Sequence, residues 1–115
     1  MPLSKLLPLT DVSARPPATT PALSAENAVD LARLLKAVAD PTRLRLISMV
    51  AAHDTAEACV CDLTEPLDLG QPTVSHHLKI LVEAGILSRD KRGTWAYYRL
   101  VPGALESVAQ RVLNI

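Results

Sequence analysis

The sequence predicts a mainly α-helical domain that carries one β-hairpin. Apolar residues recur at helical spacing over four stretches between residues 24 and 84, a run rich in β-formers around a glycine turn fills 86–100, and a last amphipathic stretch follows. With 115 residues, the chain is long enough for one domain and too short for two.

The elements follow in order. Residues 1–23 hold five of the nine prolines, which block helix and strand hydrogen bonding, and are expected to form a flexible arm ahead of a 24–115 domain. Ser24 is a good N-cap for a first helix carrying Ala28, Leu31, Leu35 and Val38 on one stripe. Asp40-Pro41 ends it and starts a second helix, with Leu44, Ile47, Val50 and Ala51 as its buried stripe. A short third helix is expected to begin in Ala58-Cys59-Val60-Cys61-Asp62-Leu63 and to be cut or bent at Pro66. After a turn, a fourth helix opens at Gln71-Pro72 and ends before Gly85, with Val74, Leu78 and Leu81 inward. Ile86–Arg89 and Thr94–Leu100 read as strands around an Asp90–Gly93 turn, and a final helix runs from Pro102 to about Asn114.

A short helix, a turn, a longer helix with a polar outer face and a basic hairpin together describe a winged helix-turn-helix. Such a recognition helix packs one stripe on its domain and offers hydrogen-bonding side chains to base edges. Gln71, Thr73, Ser75, His76 and Lys79 supply that polar face, and Arg89, Lys91 and Arg92 cluster at the hairpin tip, where a wing meets a phosphate backbone. The net charge is zero, but residues 70–100 carry an excess of three positive charges, a local footprint suited to double-stranded DNA. His77 is expected to pack or to face a phosphate, and His53 to be exposed.

Cys59 and Cys61 are two residues apart. In a regular helix that spacing points side chains about 200° apart, so the sulfurs converge on one ion only if the backbone there is extended or distorted. A helix start would supply the distortion and would also lower a thiol pKa. Thiolates select soft ions over magnesium or calcium. The alternative is two small buried hydrophobes.

Ala37-Val38-Ala39-Asp40-Pro41-Thr42-Arg43-Leu44-Arg45-Leu46, Cys59-Val60-Cys61-Asp62-Leu63, Gln71-Pro72-Thr73-Val74-Ser75-His76-His77-Leu78-Lys79, Gly85-Ile86-Leu87 and Arg92-Gly93-Thr94-Trp95-Ala96-Tyr97-Tyr98 occur in that order. Together they resemble the ArsR/SmtB family of metal-sensing repressors over residues 25–114. The resemblance implies a homodimer joined through its first and last helices, which binds an imperfect palindrome and releases it on binding inducer. Ala28, Leu31, Leu35, Leu105, Val108 and Val112 are the candidates for the interface, and two-fold symmetry would set two recognition helices about 34 Å apart. Cys59-Val60-Cys61-Asp62-Leu63 is similar to the arsenic-responsive members, which makes Cys59 and Cys61 the inducer site and As(III) or Sb(III) the inducer. Some relatives add a third cysteine where this chain has Thr64, or in the arm. Here a trigonal centre would keep two thiolates, with a solvent oxygen or small thiol as third ligand, or the sequence has lost a cysteine. A zinc site on the last helix is not expected, since 102–115 holds Glu106 and no histidine.

Neither a Ser/His/Asp grouping nor a phosphate-cradling glycine loop is present, so no enzyme and no catalytic cofactor are expected. A cadmium, lead or zinc sensor of the same fold is the nearest alternative. A small dithiol redox protein is disfavoured by Cys-x-Cys in place of Cys-x-x-Cys. A protein-interaction module would show no salt-sensitive DNA binding. The start Met1-Pro2-Leu3-Ser4-Lys5 lacks the pattern of a secretory leader and no apolar run of about 18 residues occurs, so a cytoplasmic location without membrane contact is expected.

Overall fold

The computed structural model describes residues 21–115, and the expected arm lies outside them but for its last three residues, which form no regular element. α1 spans Ala25–Val38 and starts where the Ser24 hydroxyl accepts the Asn27 N–H at 3.1 Å. α2 spans Pro41–Ala52, with Pro41 in its first turn and the Asp40 carboxylate accepting the Arg43 N–H at 3.0 Å. Its buried stripe is Leu46, Ile47 and Val50, whereas Leu44 is 55% exposed and Ala51 is exposed as well. At 100° per residue the real stripe is centred about 100° from Leu44 and Ala51, because α2 packs on the sheet and on the fourth helix at once.

The third helix does not begin at Ala58. Glu57–Cys59 forms a short strand, β1, and α3 runs from Val60 to Leu67. β1 pairs antiparallel with β3 (Trp95–Leu100), which pairs antiparallel with β2 (Leu87–Arg92), giving the sheet order β1-β3-β2. Ala58 and Tyr98, opposite each other in the register, are both buried. α3 ends at Asp68 in the left-handed conformation, and α4, Gln71–Glu83, follows Gly70. Val74, Leu78 and Leu81 are fully buried at helical spacing and fix which face of α4 points outward.

The hairpin is longer than its sequence suggests. Asp90, Lys91 and Arg92 are strand residues, and the turn is confined to Gly93-Thr94, with Gly93 at φ 65°. A two-residue hairpin turn demands positive φ, which glycine supplies without strain. The last helix, α5, spans Ala104–Leu113 and begins after Gly103, leaving Pro102 outside it. α1 and α5 pack on each other, and Arg111 reaches Asp30 at 3.0 Å. α2, α3, α4 and the base of the sheet enclose the remaining core around Leu46, Leu63, Leu78 and Leu87.

Candidate inducer site and nucleic-acid interface

Cys59 closes β1 and caps α3 with extended backbone, φ −75° and ψ 151°. Its sulfur accepts the Cys61 N–H at 3.3 Å, and its own N–H donates to the Asp62 carboxylate at 3.0 Å. This is the reciprocal arrangement of a capping box, with a thiol in the place of a hydroxyl. The strand-to-helix joint therefore removes the helical angle that would hold the sulfurs apart. The two sulfurs and an Asp62 carboxylate oxygen all lie within 4.8 Å of one another, the one such donor cluster among the described residues. Cys59 is buried and Cys61 exposed, so the pair has one anchored and one accessible sulfur.

The expected lowering of the thiol pKa fails at Cys61. The Cys59 sulfur beside it, followed by desolvation and the charge of Asp62, pushes the Cys61 thiol upward and outweighs the helix-start N–H. Asp62 belongs to the cluster and escaped the sequence reasoning, although its place three residues after Cys59 is a capping-box signal. His53, exposed as expected, ends α2 with its Nε2 3.7 Å from the Asp62 carboxylate.

The polar face of α4 meets the hairpin across a groove of about 600 Å3, which Val60 at the start of α3 also lines. Gln71, Ser75 and Lys79 line one wall, Arg89 and Trp95 the other. Thr73 and His76 are exposed on α4 outside that lining, and Lys79 lies 4.0 Å from Glu83. Trp95, 53% exposed, was not anticipated as a groove residue. Arg89 and Lys91 are exposed on the wing. Arg92 differs, because its guanidinium donates twice to Glu57 at 2.7 Å and once to Asp90 at 3.0 Å, and lies 4.6 Å from the centre of the Tyr97 ring.

The six interface candidates separate. Leu31 and Val108 are buried within one chain and need no partner for it. Leu35 and Leu105 are half-buried, and Ala28 and Val112 are exposed. Val29, Leu113 and Ile115 are exposed apolar residues of α1 and the C-terminal segment that helical periodicity did not single out.

The segment from the start of α2 to the first residues of β2 matches a known family model. Residues 40–89 match the model described as bacterial regulatory protein, arsR family. The chain is 40% identical over 81 residues to an uncharacterized HTH-type transcriptional regulator of Methanocaldococcus jannaschii, covering 70% of this chain and 89% of that one. The chain belongs to the ArsR family. It is also 48% identical over 69 residues to the arsenic resistance transcriptional regulator ArsR1 of Pseudomonas putida, covering 60% of this chain but only 52% of that protein, so it spans about half of that relative's length. Among solved structures, the AntR antimony-specific transcriptional repressor superposes with a TM-score of 0.67 at 26% identity, covering 90% of each chain. Membership in the ArsR family makes α3, the turn and α4 the DNA-binding helix-turn-helix of a transcriptional repressor, and β2–β3 its wing. No helix among the described residues is long and apolar enough to cross a membrane.

Proposed function

We propose that this ArsR-family repressor binds its operator as a homodimer and releases it when Cys59 and Cys61 capture As(III) or Sb(III). The observation that carries the reading is the convergence of both sulfurs at the β1–α3 joint, within 4.8 Å of each other and of the Asp62 carboxylate. Soft thiolates are the ligands a trivalent arsenic or antimony centre takes up. Two sulfurs fill two of its three positions, and a solvent oxygen or small thiol takes the third. Gln71, Ser75, Lys79 and Arg89 contact DNA from the groove, Thr73 and His76 from the outer face of α4, and Lys91 from the wing. The exposed apolar residues of α1 and α5, with Val112 among them, form the dimer contact.

Release follows from where the sulfurs sit. Cys59 is the last residue of a strand and Cys61 lies in the first turn of α3, the first helix of the helix-turn-helix. Drawing both sulfurs onto one centre competes with the Cys61 N–H for the Cys59 sulfur, and so loosens the cap that sets the start of α3. A coupling of about 1–3 kcal/mol weakens operator binding about 5- to 150-fold.

Asp62 in the cluster, with His53 behind it, favours a second reading in which the same thiols hold a divalent ion such as cadmium or zinc with an oxygen donor. Binding to the DNA upstream of the protein's own gene, titrated with arsenite, antimonite, cadmium and zinc, separates the two. Arsenite is expected to release the wild type but neither Cys59→Ser nor Cys61→Ser. Normal arsenite release by both variants refutes the thiol mechanism.

A further inference from the structure

We propose that Glu57 is the positioning residue that ties the posture of the wing to the thiol pair, through its ion pair with Arg92. The inference rests on the thiol reading above and concerns how occupancy at the sulfurs is felt by the DNA-contacting hairpin.

The sheet register places the parts. Glu57 and Cys59 are the first and last residues of β1, and alternation puts their side chains on the same face. Directly across are Arg99 and Tyr97 on β3, and across from Tyr97 is Asp90 on β2. Arg92, two residues beyond Asp90, lies on that face as well. One face of the sheet therefore carries the buried sulfur, Glu57 and the tip of the wing within a few strand positions.

The contacts on that face are specific. Glu57 accepts two parallel hydrogen bonds from Arg92, each 2.7 Å, and a longer contact from Arg99 at 3.5 Å. A planar fork meeting a carboxylate in this way fixes orientation as well as distance. The Glu57 side chain is only 13% exposed, so it is held by its surroundings, whereas Arg92 is 50% exposed at the end of a projecting strand. The nearby carboxylates of Glu57 and Asp90 hold the guanidinium even more firmly protonated than usual. Arg92 also covers the ring of Tyr97, the residue paired with Cys59.

Among the described residues, no other side-chain hydrogen bond or ion pair ties residues 89–95 to the rest of the domain. Residues 89–95 are all exposed, and in β2 only Leu87 is buried. The β1–β3 pairing ends at Cys59–Tyr97, and beyond it the hairpin hydrogen bonds only hold the two strands of the wing to each other. The Glu57–Arg92 clamp crosses from the wing tip to the first residue of β1, and the last residue of that strand, Cys59, carries the sulfur. A displacement of Cys59 towards a captured ion shifts a strand of three residues, and the clamp passes that shift to the wing.

The test uses the full chain, with arsenite as the probe. Glu57→Gln keeps the shape of the side chain but removes its charge, and Arg92→Lys keeps the wing's charge but breaks the fork. Arsenite uptake is followed by thiolate absorbance and operator affinity is measured with and without arsenite. Both variants are expected to take up arsenite like the wild type. In both, the arsenite-driven loss of operator affinity, about 5- to 150-fold in the wild type, is expected to fall below about threefold. A purely structural role would lower operator affinity equally in both states and leave that ratio unchanged, which overturns the proposal. A full wild-type ratio in Arg92→Lys alone also overturns it, whatever happens to the folding of Glu57→Gln. A wild type that binds operator equally well with and without arsenite instead defeats the thiol reading itself, and the clamp proposal falls with it.

Discussion

Replacing Arg43 by methionine should lower stability by about 2–3 kcal/mol, because one side chain joins three elements. Arg43 Nε donates to the Ala37 carbonyl at 2.6 Å and Nη2 to the Lys36 carbonyl at 3.2 Å, which closes the C-terminal end of α1. Nη1 meets His77 Nδ1 on α4 at 3.1 Å. Arginine only donates, so Nδ1 must be the accepting nitrogen and the ring proton sits on Nε2. Methionine keeps the apolar stem and deletes all three contacts. A hydrogen bond from a charged donor contributes about 1.5–3 kcal/mol, and half-burial of Arg43 reduces each to about 1 kcal/mol. For a domain of this size, the sum corresponds to a fall in Tm of roughly 8–20 °C. Thermal melts followed by circular dichroism measure it, at fixed protein concentration because dimerisation also shifts Tm. A double-mutant cycle with His77→Ala should show a coupling of at least about 0.5 kcal/mol. A melt within about 2 °C of the wild type, or strict additivity in the cycle, would refute Arg43 as the link between α1 and α4.

Two further outcomes are expected. Arg89→Ala or Lys91→Ala should weaken binding to all DNA sequences alike and reduce the log–log salt slope by about one each, and an unchanged slope removes that residue from the phosphate contacts. Stability should fall in acid. The hydrogen bond from Arg33, and then that from Arg111, hold Asp30 below its ordinary value near 3.8, and the Arg43 backbone N–H does the same for Asp40. Carboxylates depressed in the folded state stabilise it above their unfolded pKa, and that stabilisation is lost as pH falls through the lower folded value. Urea midpoints compared between pH 7 and pH 3 should therefore drop less in an Asp30→Asn, Asp40→Asn double variant. Identical drops would show that these two groups carry none of the acid sensitivity.

What the sequence made legible was local. Ser24 and Asp40 mark their helix starts because a cap acts within three residues. The angular argument on Cys59 and Cys61 foresaw that a regular helix could not hold the pair, and the break it required is the β1–α3 joint. What escaped was non-local. β1 is three residues long and its partner strand lies some forty residues away, so no periodicity within Glu57–Cys59 could reveal it. Arg92 read as a free wing cation because its partner Glu57 is 35 residues distant, and the Arg43–His77 contact spans 34. Leu44 fitted the helical spacing, but the direction of the core is decided by the elements packed on α2.

Trp95 is the only tryptophan in the chain, and it stands half exposed on the wall of the α4–wing groove. The molecule thus carries its own optical probe at that wall. With two tyrosines and no phenylalanine elsewhere, excitation near the red edge of protein absorption illuminates a single indole. Anything that enters the cleft and excludes water from that ring should shift or quench its emission, giving unlabelled protein a direct readout of groove occupancy.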